Sequence, residues 1–270
     1  QQKNLVPNNV QIIAVNTAKI AQQTGCLYVL GGMNSQLGRF GSNRVECYDI
    51  ALGRWKRCAD MNLARNHPGV AVLDGYIYAV GGLSKEGFHN SAERYNPETN
   101  VWEYVAPMKT QRVNLGTAVV DRFLYAIGGT DGVDSLSSVE LYHPDHDRWI
   151  FVEDMCIPRS GIGVATVGNR VFVVGGYDRG RREGIVEVLD TDIMKWSILA
   201  SMRFPRCNLS VSVVHGKIYA IGGFTEEGYT ETTEIYDVEA NCWRMGPKLS
   251  TFKSDHVSLV SHLPTYVENS

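Results

Sequence analysis

Apolar residues fall along this chain in short runs of strand length, and the runs follow one order. Between residues 115 and 149, Leu115 to Val120 and Phe123 to Ile127 are apolar stretches, the second ending at Gly128-Gly129. Runs of this length predict strands buried on both faces. Ser138 to Tyr142 then alternates, His143-Pro-Asp-His-Asp147 predicts a turn, and a fourth strand opens at Trp149. No segment carries a 3.6-residue period, so the unit is expected to be four short antiparallel strands without a helix.

That unit recurs. The five tryptophans, Trp55, Trp102, Trp149, Trp196 and Trp243, stand 47 residues apart. Glu46, Glu93, Glu140, Glu187 and Glu234 keep the same step. So do Met61, Met108, Met155 and Met202, and Arg65, Arg112, Arg159 and Arg206, with Lys253 in the next slot. Tyr48, Tyr95, Tyr142 and Tyr236 form a further column, interrupted by Leu189. Gly-Gly pairs begin at Gly31, Gly81, Gly128, Gly175 and Gly222. A four-stranded sheet cannot hide both faces by itself, whereas copies packed face to face around an axis bury every face, which predicts an all-β propeller. The tryptophans then fill the space between blades. No copy of the glycine pair carries a phosphate-loop or dinucleotide motif or leads into a helix, so it is read as a backbone bend that tolerates no side chain.

Gly-Gly at a strand end, Glu-x-Tyr, a turn, Trp, and Met-x-x-x-Arg together resemble the kelch repeat over about residues 26 to 263. The resemblance implies one kelch-type β-propeller domain spanning 1–270, with four-stranded antiparallel blades and five complete repeats over about 26–255. It also implies closure by a terminal strand. His256-Val-Ser-Leu-Val-Ser-His262 aligns with Leu209-Ser-Val-Ser-Val-Val-His215, so 256–262 is expected to be the closing strand and to pair with Cys26 to Gly32. The length of the repeats alone gives five blades. Family habit, and the apolar runs Val10 to Val15 and Ala18 to Ala21, favour six narrowly over five, with residues 1–25 as a partial or degenerate blade.

With 26 basic and 29 acidic residues the net charge is -3, which gives no electrostatic reason to bind nucleic acid or an anionic membrane. No apolar run approaches the roughly 18 residues of a membrane span, and Gln1 to Asn9 is too polar for a signal peptide. The six cysteines, Cys26, Cys47, Cys58, Cys156, Cys207 and Cys242, include no C-x-x-C and occupy unrelated repeat positions. They read as reduced thiols, so the expectation is a soluble intracellular protein, cytoplasmic with the nucleus not excluded. No metal or cofactor is expected, because His143 and His146 occupy the turn slot held by Asn96-Pro-Glu-Thr99 one repeat earlier.

Residues that keep the period belong to the scaffold, so binding is sought in the loops after each Gly-Gly, which share no pattern: 33–43, 83–90, 130–135, 177–184 and 224–230. All leave equivalent strand ends and must crowd onto one face, and diverse loops on a rigid frame carry function. The candidates on this face are Leu37, Arg39 and Phe40; Phe88 and His89; Asp131 and Asp134; Tyr177, Arg179, Arg181 and Arg182; and Phe224, Glu226, Glu227 and Tyr229. Aromatics beside arginines suit the hot spots of a protein interface. Arg65, Arg112, Arg159 and Arg206 step with the glutamates, which reads as mutual satisfaction of buried polar groups. Arginines near this position contact acidic peptides in some kelch proteins that this chain resembles, so they stand as secondary candidates.

Propeller enzymes leave traces that are missing here: there is no S-x-D-x-G-x-x-W box, and no glutamate has an aspartate four residues on. The repeats are most similar to kelch domains of BTB-BACK-kelch proteins. That resemblance implies a non-catalytic substrate-recognition module of an adaptor for a cullin-RING E3 ubiquitin ligase, binding a target protein or short peptide on the loop face. The alternative is a kelch scaffold that binds actin or the cytoskeleton.

Overall fold

The computed structural model describes residues 25–32 and 41–251 with their side chains, and the backbone of Val10–Ile13, Lys19–Gln23 and Val257–Val260. Each 47-residue unit folds as one antiparallel four-stranded blade whose strands lie side by side in chain order. The first blade is Lys19–Gln23, Cys26–Leu30, Val45–Asp49 and Arg54–Arg57. The second is Gly69–Leu73, Tyr76–Val80, Ala92–Asn96 and Val101–Val105. The third is Gly116–Val120, Phe123–Ile127, Val139–His143 and Arg148–Val152. The fourth is Gly163–Val167, Arg170–Val174, Val186–Asp190 and Lys195–Leu199. The fifth is Ser210–Val214, Lys217–Ile221, Thr233–Asp237 and Cys242–Met245. First strands of successive blades lie against one another, so they surround the axis and the fourth strands form the outer rim.

The blade number is five, which corrects the expectation of six. Lys19–Gln23, grouped by the sequence with a partial blade, pairs with Cys26–Leu30 and completes the first blade. That pairing also takes the edge to which residues 256–262 were assigned. Val257–Val260 pairs instead with Val10–Ile13, in a sheet of two strands whose C-terminal member lies against Ser210–Val214 and Lys19–Gln23. The physical reason is that a strand edge is used once: with Lys19–Gln23 on the free edge of Cys26–Leu30, Val257–Val260 pairs elsewhere.

The core sits between blades. Among the described residues, one apolar cluster joins each successive pair, as where Tyr28 and Met61 of the first meet Ile77, Tyr95 and Trp102 of the second. Each tryptophan from the second blade onward also reaches back to the preceding linker: Trp102, Trp149, Trp196 and Trp243 donate through Nε1 to the carbonyls of Ala59, Ala106, Glu153 and Ala200 at 2.8–3.0 Å. An indole buried in this way fills volume and satisfies its one donor.

The glycine pairs are bends over these linkers. Gly81 and Gly175 have φ of 66° and 65°, and a Cβ on either would stand 2.3 and 2.4 Å from the carbonyl oxygens of Arg112 and Arg206. No side chain fits there. In the first four pairs the second glycine donates its N–H to an arginine carbonyl, as from Gly82 to Arg112 at 2.8 Å and from Gly176 to Arg206 at 2.9 Å.

Candidate binding face

The arginine column lies beneath the loop face rather than on it. Arg65, Arg112, Arg159 and Arg206 are all 0% exposed. Their side chains pair with Glu93, Glu140, Glu187 and Glu234 at 3.0, 3.0, 2.7 and 2.7 Å. Each NH1 also donates to the carbonyl of the first glycine in the next blade, at Gly81, Gly128, Gly175 and Gly222. The carboxylates accept linker amides as well: Asn62 to Glu93 at 2.8 Å, Lys109 to Glu140 at 2.6 Å, and Arg203 to Glu234 at 2.8 Å. Burial pulls the guanidinium pKa values down and the paired glutamates pull them back. Each arginine thus stitches two blades, its carbonyl against the glycines of one and its guanidinium into the next, with no exposed surface for a ligand.

The loops after the glycine pairs are ordered by short hairpins: Leu83–Ser84 with Gly87–Phe88, Tyr177–Asp178 with Arg181–Arg182, and Phe224–Thr225 with Gly228–Tyr229. The loop of the third blade turns on Asp131, whose Oδ1 accepts the amides of Val133 and Asp134 at 2.9 and 3.0 Å. Those backbone hydrogen bonds hold the Asp131 carboxyl below its usual pKa. Arg179 and Gly180 form the tip of the fourth-blade hairpin, both with positive φ. The hairpin presents Arg179 and Arg181 to solvent, 80% and 81% exposed.

Neighbouring loops brace one another. Phe88 lies against Gly132, where a Cβ would stand 2.6 Å from its ring. Asp134 meets Arg179 at 3.6 Å, and the Ser135 hydroxyl donates to the Tyr177 carbonyl at 3.1 Å. Arg182 stacks 4.6 Å above Phe224 and pairs with Glu226 at 2.9 Å, leaving its own side chain only 16% exposed. Phe224 and Tyr229 meet edge to face at 5.0 Å. The charge contrast between the fourth and fifth loops is therefore partly spent inside the rim.

The sequence-derived candidates divide accordingly. Phe88, Arg182, Phe224 and Glu226 hold loops together, and half-buried His89 meets the Ser84 hydroxyl at 2.9 Å. Asp134 takes part in bracing yet stays exposed, and Tyr177, Arg179, Arg181, Glu227 and Tyr229 also face solvent. Leu37, Arg39 and Phe40 lie outside the described residues. Val133, not among the candidates, is 87% exposed at the tip of the third loop. Its signal was an apolar residue inside the polar turn Asp131-Gly-Val-Asp134.

Other chemistry is sparse among the described residues. His143 and His146 stack at 4.2 Å on a one-turn 3-10 helix, and no group of three or more His, Cys, Asp or Glu is arranged to hold a metal. All six cysteines are free thiols, and burial pushes the Cys47 thiol up to about 12, which keeps it protonated and unreactive. No described helix is long and apolar enough to cross a membrane.

Comparison with known proteins bears on the whole ring. A stretch of the chain is 44% identical over 69 residues to Kelch-like ECH-associated protein 1B of Danio rerio, covering 25% of this chain and 12% of that protein. A stretch of 70 residues is 34% identical to Kelch repeat and BTB domain-containing protein 2 of Cowpox virus (strain GRI-90 / Grishak), covering 26% of this chain and 12% of that protein. The chain thus matches a small part of the length of these relatives. The solved structure titled "Structure of YjhT" superposes with a TM-score of 0.80 at 18% identity, over 91% of this chain and 87% of that one, a likeness of fold. The Kelch motif matches residues 18–62, 64–109, 111–155, 158–203 and 205–250, one match for each blade, and the chain therefore belongs to the kelch-repeat family.

Proposed function

We propose that this kelch propeller captures a segment of a target protein on the face formed by the loops after its glycine pairs, as the substrate-recognition part of a BTB-kelch adaptor for a cullin-RING E3 ubiquitin ligase. The observation that carries the reading is the braced rim, which holds exposed Tyr177, Arg179, Arg181 and Tyr229 on short hairpins of a rigid frame. Exposed aromatics and arginines on fixed backbone lose little freedom on binding, which favours them as anchors. The name of the Cowpox virus relative joins kelch repeats to a BTB domain, the part that would recruit the ligase. The domain itself would be a non-catalytic receptor in a cytoplasmic protein, with ubiquitin transfer belonging to the assembled complex.

The test is affinity purification of the full-length protein with and without Arg179→Ala and Arg181→Ala together. Arg182 is left intact because it braces Phe224 and Glu226. Recovery of a cullin with both forms, and loss of one partner with the variant, supports the proposal. Actin without a cullin would replace it with a cytoskeletal role, and retention of every partner would move the site off this hairpin.

A further inference from the structure

The outer strand of the third blade is an open edge that lacks the polar guard of its sister blades. Among the described strands, Arg148–Val152 pairs on one side only, with Val139–His143, which leaves its other edge free at the rim. Exposed edges are normally kept from pairing by charged or polar side chains. The residue after the rim tryptophan serves this purpose in four blades, as Lys56, Glu103, Ser197 and Arg244, all exposed. In the third blade that position is Ile150, 42% exposed, and it is followed by Phe151, 54% exposed. Trp149-Ile-Phe-Val152 is thus an unbroken apolar run on a free edge.

The described ends of the chain do not reach this edge. Val10–Ile13 pairs with Val257–Val260, and the latter lies against the innermost strands of the first and fifth blades, each two blades away from the third.

Alternation along the strand puts Arg148, Ile150 and Val152 on one face and Trp149 and Phe151 on the other. Exposed Arg148 stands at one end of the apolar run, and exposed Asp154 lies just past the other. When two copies of a strand pair antiparallel about a two-fold axis, one residue faces its own copy and residues equally far on either side face each other. With Phe151 at the axis this edge is complementary to itself. Phe151 meets Phe151, Ile150 meets Val152, and Arg148 meets Asp154, so aromatic, aliphatic and opposite-charge pairs form together.

The other rims do not match themselves in this way. In the first blade the central residue is Arg57, which would face its own charge. In the second, Val101 would face Pro107, which has no N–H for the ladder. In the fourth and fifth, Lys195 would face Ser201 and Cys242 would face Lys248, with no opposite charge in either pair.

We propose that the free edge of Arg148–Val152 pairs with the same edge of a second copy of this chain, joining two third blades into one continuous sheet. The pairing uses none of the loop residues, so it is independent of what the binding face captures.

Sedimentation velocity of the chain over a concentration series tests this with Ile150→Lys, Arg148→Glu and Asp154→Arg, all at exposed positions. The parent chain is expected to dimerise. Ile150→Lys restores the guard that Lys56 supplies in the first blade, and should weaken the dimer about tenfold or more because it enters a two-fold interface twice. Arg148→Glu and Asp154→Arg each set like charges against one another and should also weaken it. Mixed in equal amounts, these two variants are complementary at both ends of the ladder, so the mixture is expected to associate as the parent does. A parent chain that stays monomeric at every concentration overturns the proposal and leaves the edge to an unrelated extended segment. A dimer indifferent to Ile150→Lys, or a mixture no more associated than its components, overturns it too.

Discussion

The Tyr142 hydroxyl and the Ala106 amide both donate to one oxygen, Asp147 Oδ1, each at 2.8 Å. Asp147 stands at the left-handed end of a turn in the third blade and Ala106 in the linker from the second, so a single carboxylate ties a tyrosine to the neighbouring blade. Tyr95 with Asn100 and Tyr236 with Asn241 repeat the arrangement. In the fourth blade both partners change together, to buried Leu189 and half-buried Met194, which join one apolar cluster. The interruption in the tyrosine column is thus the exchange of a polar pair for an apolar one.

Tyr142→Phe should cost about 0.5–1.5 kcal/mol, the net worth of one hydrogen bond. Asp147→Asn should be near neutral, since asparagine serves in two sister blades, whereas Asp147→Ala strands the Ala106 amide and strains a left-handed residue. Urea unfolding of the three variants checks the order, and equal losses for Asn and Ala would refute the shared-acceptor account.

Trp149 is 2% exposed and bonded to Ala106, so Trp149→Ala should cost about 3–5 kcal/mol. Trp55→Ala should cost far less because that residue is already 49% exposed to solvent. Chemical denaturation of the pair in parallel decides whether the five tryptophans are energetically equivalent.

Arg112→Ala would leave the Glu140 carboxylate buried without its cation, a loss of about 3–5 kcal/mol. Adding Glu140→Gln removes the stranded charge and should recover part of that loss. A double variant less stable than Arg112→Ala would show that the carboxylate's bonds to the amides of Lys109 and Thr110 outweigh the ion pair.

Burial, and then the charge of Arg65, hold the His89 pKa below its ordinary value. The unfolded chain takes up this proton from about pH 6.5 downward while the folded chain resists it, so stability is full above that pH and declines as pH falls toward the folded pKa. His89→Gln removes this contribution, and its unfolding midpoint should fall less than that of the parent between about pH 7.5 and about pH 5.5. Identical pH profiles would exclude His89 as a source of acid sensitivity.

The period in the sequence marked the blades because a repeated packing problem has a repeated solution. Trp149, Glu140 and Arg112 recur since each interface must fill the same gap and satisfy the same linker amides and glycine carbonyls. The strand limits of the third blade were legible because apolar runs of strand length bounded by Gly-Gly and His-Pro-Asp admit few alternatives. Blade number was not legible, because two ways of spending Lys19–Gln23 and Val257–Val260 satisfy the same local pattern and only the choice of edge separates them. Nor could the loops be sorted: Arg181 and Arg182 are neighbours in the chain, yet one is exposed to solvent and the other is held by Phe224 and Glu226.

By itself, then, the sequence determined the blade, its four strands and the residues that join one blade to the next, since these rest on contacts at fixed separations along the chain. Tertiary structure decided how the ends of the ring are used, which loop residues face outward and that Trp55 stands open, because each depends on what an adjoining element, distant in sequence, leaves uncovered.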